Sequence, residues 1–191
     1  MKLIGIAGTD GSGKDTVGKM LAERHNWLFV SVTDILRDEA RSRKLALTRK
    51  NLRKISEEWR RSDGPAVLVD KALEQYKQSS QSHKGLAIAS LRHPAEARRV
   101  HELGGKVVWT DASPLIRYAR ISSRRRGSED TVSYEEFLAE EKTQMKHAGD
   151  KHTLNLSGVN ELADIVLDNE GSDIEAFKKE AEKALNLIVN S

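Results

Sequence analysis

The sequence contains no cysteine. That excludes disulfides, a thiolate zinc site and a thiol nucleophile. Aromatic residues are scarce, at 5%. Long hydrophobic runs are absent too. The opening stretch, MKLIGIAGTD, breaks into glycines after a short apolar segment, which suits neither a signal peptide nor a membrane span. The expectation is a soluble cytoplasmic protein without a membrane partner. Nor is there an excess of charge of one sign. Against 29 acidic residues stand 32 basic ones, a net charge of +3. This is too mild to argue for nucleic acid. The six histidines are scattered, and His147 and His152, five apart, lack the acidic or histidine partners of a metal set. Both read as solvated surface.

What is present is a chain of 191 residues, long enough for a sizeable core and expected to form one domain, 1–191. Short apolar runs alternate with helical patterns. KLIGIA (Lys2–Ala7), WLFVS (Trp27–Ser31), GLAIAS (Gly85–Ser90), KVVWT (Lys106–Thr110) and DIVLDN near the end read as five strands. A long helical region runs from about Thr33 to Gln78, with a break at Gly64-Pro65. Pro94 and Pro114 stand where helices start, with Ser113 as a cap. Ser133 with Glu136, and Ser172 with Glu175, have capping-box spacing. Strands separated by helices predict a parallel sheet covered on both faces.

The first candidate site is GTDGSGKDTVGK, Gly8 to Lys19. Gly8, Gly11 and Gly13 follow a strand and precede a helix. They permit a tight turn whose backbone N–H groups, backed by a helix N-terminus, can cradle phosphate. Lys14 adds a point charge able to reach the terminal phosphates. The usual pattern places a magnesium-binding hydroxyl directly after the lysine. Here Asp15 occupies that position and the hydroxyl follows at Thr16. A carboxylate beside a triphosphate is repulsive unless a cation or a dipole compensates it.

On Lys14, Asp15 and Thr16 the chain resembles nucleoside monophosphate kinases, whose loop commonly ends G-K-G-T. The form G-K-D-T looks like phage-type deoxynucleoside monophosphate kinases. Over nearly the full length the chain resembles the adenylate-kinase-like and dephospho-coenzyme-A-kinase-like group. That resemblance implies the P-loop NTPase fold: a five-stranded parallel sheet of order 2-3-1-4-5, helices on both faces, a helical acceptor-binding insertion (33–80) and a short lid (120–133). It implies ATP as donor, with Mg2+ held largely through water and the nucleotide phosphates. Gly8, Asp10, Gly11, Ser12, Gly13, Lys14, Asp15 and Thr16 would line the ATP phosphates. Asp15 would accept hydrogen bonds from magnesium-bound water, or only favour the helix start.

Three further segments carry the resemblance. VSVTDILRDEA (Val30–Ala40) is similar to the T-G-D-M-L-R stretch of adenylate kinases. It implies that Thr33, Asp34 and Arg37 face the acceptor, with Asp34 also organising magnesium-bound water. Read alone, Asp34 and Arg37 make an ordinary surface pair three residues apart. ASLRHPAEA (Ala89–Ala97) is similar to D-G-x-R-x-P-x-E, with Arg92 as the second acceptor arginine. It departs from that pattern at Ala89, which replaces a carboxylate, and at Ser90, which replaces glycine. RYARISSRRRGSEDTV (Arg117–Val132) resembles the start of a lid, in which Arg120 and Arg124 would offset charge on the transferring phosphoryl group. A nucleic-acid patch is a rival reading of these arginines, opposed by the acidic helix that follows. Finally, Asn169-Glu170-Gly171 is similar to an N-x-G loop beside adenine, although those residues also suit a plain turn.

The function these residues imply is transfer of the γ-phosphoryl group of ATP to a nucleoside or deoxynucleoside monophosphate-like acceptor, by a monomer or weak dimer that binds no nucleic acid. Dephospho-coenzyme A or a small phospho-metabolite such as phosphomevalonate are alternative acceptors, although the G-K-D loop and Val32-Thr33-Asp34 lean against the former. An acceptor-less ATPase or regulatory nucleotide switch is a second alternative, suggested by Ala89. An RNA-binding accessory protein is a third.

Overall fold

The structure, a computed structural model, describes residues 1–124, 132–145 and 150–190. Its centre is a sheet of five parallel strands: β1 (Lys2–Gly8), β2 (Leu28–Ser31), β3 (Gly85–Leu91), β4 (Lys106–Asp111) and β5 (Ile165–Asp168). Their order is β2-β3-β1-β4-β5, as the resemblance implied. The strands of the middle are apolar on both faces because both faces are covered. Leu3 and Ala7 of β1 face one core with Leu86 and Ile88, while Ile4 and Ile6 face the other with Ala87 and Ala89.

The first core is closed by α2 (Val32–Ser42), α3 (Arg49–Ser62), α4 (Val67–Gln78), α5 (Pro94–Glu102) and α8 (Leu156–Asn160). The second is closed by α1 (Lys14–His25) and α9 (Ile174–Asn190). Val17, Met20 and Leu21 of α1 meet Phe177, Ala181 and Leu185 of α9 there. Helices α6 (Pro114–Arg124) and α7 (Tyr134–Met145) flank the carboxyl ends of the strands. Tyr118 of α6 and Phe137 of α7 pack with ring centroids 5.8 Å apart.

The expected helical region over 33–78 is three helices, with a break at residues 43–48 besides the one at Gly64. Lys44 takes a left-handed φ of 56°, and Thr48 then caps α3 by accepting from the Asn51 N–H at 3.3 Å. Ser133 and Glu136 form their capping box: the Glu136 N–H donates to Ser133 Oγ at 3.2 Å and the Ser133 N–H to Glu136 Oε2 at 2.7 Å. At α9 the cap is Asp173, not Ser172. Its Oδ1 accepts from the N–H groups of Glu175 and Ala176, at 2.9 and 3.1 Å. The Glu175 carboxylate instead turns to Arg24 and Lys178. His152 is not a solvated histidine: it is half-buried, its Nδ1 is buried without a partner, and its carbonyl accepts from Arg60 at 3.4 Å. His147, and residues 125–131 of the expected lid, lie outside the described residues.

Candidate functional site

The loop between β1 and α1 is a tight cradle. Gly13 has φ 108°, and a Cβ there would lie 2.5 Å from Asn169 Nδ2. Only glycine fits that backbone and that space. Ser12 closes the turn: its Oγ donates to the Thr9 carbonyl at 2.8 Å and lies 2.7 Å from Thr110 Oγ1. Lys14 opens α1 and folds back, its Nζ donating to the Thr9 carbonyl at 2.6 Å and standing 4.0 Å from Asp10 Oδ1. The lysine is therefore held over the turn, at the N-terminal end of α1, where an anion is favoured.

Beside the cradle lies a cavity of about 690 Å³, walled by the phosphate loop, the end of β3 and helices α2, α3 and α7. From the loop, Asp10, Gly11, Gly13, Lys14, Asp15 and Thr16 line it. From α2 come Thr33, Asp34 and Arg37, and from the end of β3 comes Arg92. The sequence thus brings the donor and acceptor candidates to one cavity, at the carboxyl ends of the strands where open α/β sheets bind ligands. Gly8 and Ser12 sit behind it as parts of the turn, and Arg120 and Asn169 stand on the other side of the loop. Arg37 Nη1 donates to Asp34 Oδ1 at 2.8 Å, so the surface-pair geometry is realised on the cavity wall.

Arg92 is engaged with the phosphate loop itself. Its Nη2 donates to Asp10 Oδ1 at 2.6 Å and its Nη1 to Gln144 Oε1 of α7. Burial by itself would raise the Asp10 pKa. Arg92 foremost, with Lys14 and Arg49, outweighs it and holds the carboxyl well below the usual carboxylate range. Asp10 thus stays ionised and occupies the two cations that face the cradle. The chain reaches Arg92 through a strained step. Ser90 has φ 71° at a register shift between β1 and β3, where Ile6 pairs with Ala89 but Ala7 with Leu91. Ser90 thus takes a left-handed backbone that the glycine it replaces would adopt without steric cost. Ala89 is fully buried, so no carboxylate reaches the cavity from that position.

Several site residues were not anticipated. Along α3, Arg49, Arg53, Ser56 and Arg60 are spaced 4, 3 and 4 residues apart and all line the cavity. Arg60 and Glu96 form a fully buried pair, with side-chain exposures of 1% and 0% and Nη2 2.9 Å from Oε1. The other oxygen of Glu96 accepts the N–H groups of Arg92 at 2.7 Å and His93 at 3.1 Å. Glu96, a motif residue in the sequence, therefore ties α3 to the loop that carries Arg92. Arg117 lies buried beneath the phosphate loop. Its Nε donates to the Ala112 carbonyl at 2.6 Å, and Glu141 of α7 takes its other face. The spacing on α3 was visible in the sequence, but charges at helical spacing ordinarily mark a solvated face.

Arg120 spans the back of the loop. Its Nη2 donates to the carbonyls of Asn169 at 2.8 Å and Gly171 at 2.6 Å, and its Nη1 lies 3.3 Å from the Gly11 carbonyl. Asn169 Nδ2 donates to the Ser12 carbonyl at 2.9 Å. These two residues clamp the 169–171 turn to the phosphate loop. Arg124 is the last residue of α6, and its side chain lies outside the described residues. Among the described residues no three acidic or histidine side chains gather as a metal set. Asp15, Thr16 and Asp34 do share the cavity with Lys14, which suits a hydrated cation brought in by nucleotide phosphates.

Comparison with known proteins agrees with this architecture. Residues 4–146 match the model of the AAA domain family. A UPF0200 protein of Hyperthermus butylicus is 32% identical over 188 residues, covering 97% of this chain and 94% of its own. Among solved structures, TT1252 of Thermus thermophilus superposes with a TM-score of 0.58 at 22% identity, covering 97% of this chain and 96% of its own. Shikimate kinase of Acinetobacter baumannii, solved with shikimate, gives a TM-score of 0.57 at 18% identity, covering 98% and 93%. With its phosphate loop, five-stranded order and full-length likeness to the Hyperthermus protein, the chain belongs to the UPF0200 family, carries an AAA domain, and has the fold of P-loop kinases.

Proposed function

We propose that the protein is an ATP-dependent kinase that transfers the γ-phosphoryl group to a phosphorylated small molecule of the nucleoside monophosphate type. The observation that carries this reading is the juxtaposition in one cavity of the Lys14 cradle and a wall of arginines on α2, α3 and the end of β3. A cradle alone would serve an ATPase; a cationic wall facing it suits a second anion. The ATP phosphates occupy the loop from Gly8 to Thr16, with Asn169 and the turn after β5 beside the base. Arg37 and Arg92, with Thr33 and Asp34, contact the acceptor. An acceptor phosphate oxygen attacks the γ-phosphorus in line, the bond to the β–γ bridging oxygen breaks, and ADP leaves. The protein supplies no nucleophile; it positions the two anions and neutralises their charge. Magnesium, when bound, would supply further neutralisation of phosphate charge, and Asp15, Thr16 and Asp34 would hold its water. On binding, the phosphates take over Lys14 and Arg92 from Asp10. Arg120 and Arg124 contribute positive charge from the α6 side. The protein acts as a cytoplasmic monomer or weak dimer with no nucleic-acid partner.

A second reading, an ATPase without an acceptor, is favoured by one observation: the buried Ala89 leaves the end of β3 without a carboxylate. One assay separates the two. ADP release is measured with magnesium-ATP across nucleoside and deoxynucleoside monophosphates, dephospho-coenzyme A and phosphomevalonate. A rate that rises with one acceptor, and falls roughly 100-fold or more in Lys14→Ala at an unchanged melting temperature, is the expected result. ADP release indifferent to every acceptor supports the ATPase instead, and near-wild-type activity of Lys14→Ala rules out both.

A further inference from the structure

The cationic wall divides by how its charges are matched. Arg37 is paired with Asp34, Arg41 with Asp38 and Arg60 with Glu96, one carboxylate to each guanidinium. Two places depart from this balance. At the phosphate loop, Lys14 and Arg92 share Asp10. On the first two turns of α3, Arg49 and Arg53 share Glu140 of α7. The first surplus lies at the phosphate loop, where Lys14 meets the donor phosphates and Arg92 faces the acceptor. The second is part of the cationic wall, but no contact with either substrate has yet been assigned to it.

Its geometry is that of a receptor. Only Arg49 Nη1 and Arg53 Nη2 are engaged by Glu140, at 3.2 Å for the latter. Among the described residues the remaining nitrogens of both forks carry no hydrogen bond. Both residues line the 690 Å³ cavity, whereas Glu140 does not; it lies in a small recess behind Arg49, with Asp10, Phe137 and Gln144. The carboxylate thus fastens the two guanidinium groups from the side away from the cavity. Arg49 is close enough to the loop to be among the cations holding the Asp10 carboxyl ionised. A planar fork donates two parallel bonds to a phosphate, and two forks side by side match a dianion. The flanking Leu47 and Leu52 are apolar, and among the described residues no aromatic ring lines the cavity.

We propose that Arg49 and Arg53, fastened side by side by Glu140, are the receptor for the phosphate dianion of the acceptor. This rests on the kinase reading and deepens it: it assigns to α3 the residues that hold the acceptor by its phosphate monoester. A neutral acceptor would leave two guanidinium groups sharing one carboxylate.

The test is calorimetric titration of inorganic phosphate into the full chain saturated with magnesium and a non-hydrolysable ATP analogue, so that the phosphate loop is filled. One phosphate binds per chain in the wild type. Arg49→Ala and Arg53→Ala each weaken it by roughly tenfold or more, the effect of losing a charge-assisted pair. Arg49→Lys and Arg53→Lys, which keep the charge but lose the fork, also weaken it and guard against a folding defect in the alanine variants. Arg43→Ala removes the same charge from a residue paired with Glu39 and Glu58, and stays within about twofold of wild type. Affinity for the ATP analogue changes less than about twofold throughout, since no atom of the phosphate cradle is removed. Phosphate binding that is absent, or as tight in Arg53→Ala as in Arg43→Ala while the analogue still binds, overturns the receptor alone. Failure of the analogue to bind overturns the kinase reading and this one with it.

Discussion

At Ser90 a single residue holds a backbone shape that suits glycine. Its φ of 71° places it in the left-handed region, at the register shift that turns the chain from β3 toward Arg92. A side chain in that region costs about 1–2 kcal/mol, and glycine avoids the cost while losing more entropy on folding. Ser90→Gly is therefore expected to stabilise the fold by up to about 1 kcal/mol, which raises the melting temperature by roughly 2–4 °C in a chain of this size. A calorimetric scan checks this, and a lower melting temperature would show that the serine is not strained. The turn at this point leads directly to Arg92, whose Nη2 donates to Asp10 Oδ1. The resemblance to D-G-x-R-x-P-x-E exposed the substitution at Ser90, but only the dihedral angle shows that the serine sits in a left-handed backbone.

Helix α5 depends on an unusual cap. His93 Nδ1 accepts from the Ala95 N–H at 3.1 Å, and Nε2 lies 2.8 Å from the Lys151 carbonyl, so the cap needs a neutral ring with its proton on Nε2. Burial, foremost, pulls the His93 pKa below its ordinary value; Arg60 and Arg98 act the same way, against the Lys151 carbonyl and Glu96. The unfolded chain takes up its proton near pH 6.5, before the folded one does. The stability from this cap is thus complete above about pH 6.5 and declines as the pH falls through and below that value. Asparagine caps a helix without titrating. The gap in melting temperature between wild type and His93→Asn should therefore change between pH 7.5 and pH 5.5; a constant gap would place the pH dependence elsewhere. At this scale the sequence was informative wherever the signal was local. Glycine spacing, Lys14, the Ser133–Glu136 box and the apolar strands each announce themselves within a few residues. The face of α3 does not. Arg49, Arg53 and Arg60 look like a solvated stripe until tertiary contact brings Glu140 and Glu96 against them. The Ser172–Glu175 box failed because Asp173, one residue on, competes for the same N–H groups and Glu175 has cations to meet.

Across the whole molecule, the two cores differ in how they are assembled. The core containing Leu3, Leu86 and Ile88 is closed by helices from the middle of the chain. The other relies on Leu167 of β5 and on Phe177, Ala181, Leu185 and Val189 of α9, packed on α1 and the sheet. A chain ended at residue 163 should therefore leave Val17, Met20 and Leu21 uncovered and lose its cooperative unfolding transition, as followed by near-ultraviolet circular dichroism. A sharp transition at wild-type temperature would show that α9 is dispensable. Strand order carries one more consequence, which concerns synthesis on the ribosome. β1 is central, yet its neighbours β3 and β4 are the third and fourth strands to be made. At the usual pace of roughly 5–20 residues per second, β1 waits on the order of ten seconds for a partner. The loop behind it waits longer still, until Asn169 arrives to hold the Ser12 carbonyl. The segment that carries the phosphate cradle emerges before its partners and is among the last to be locked.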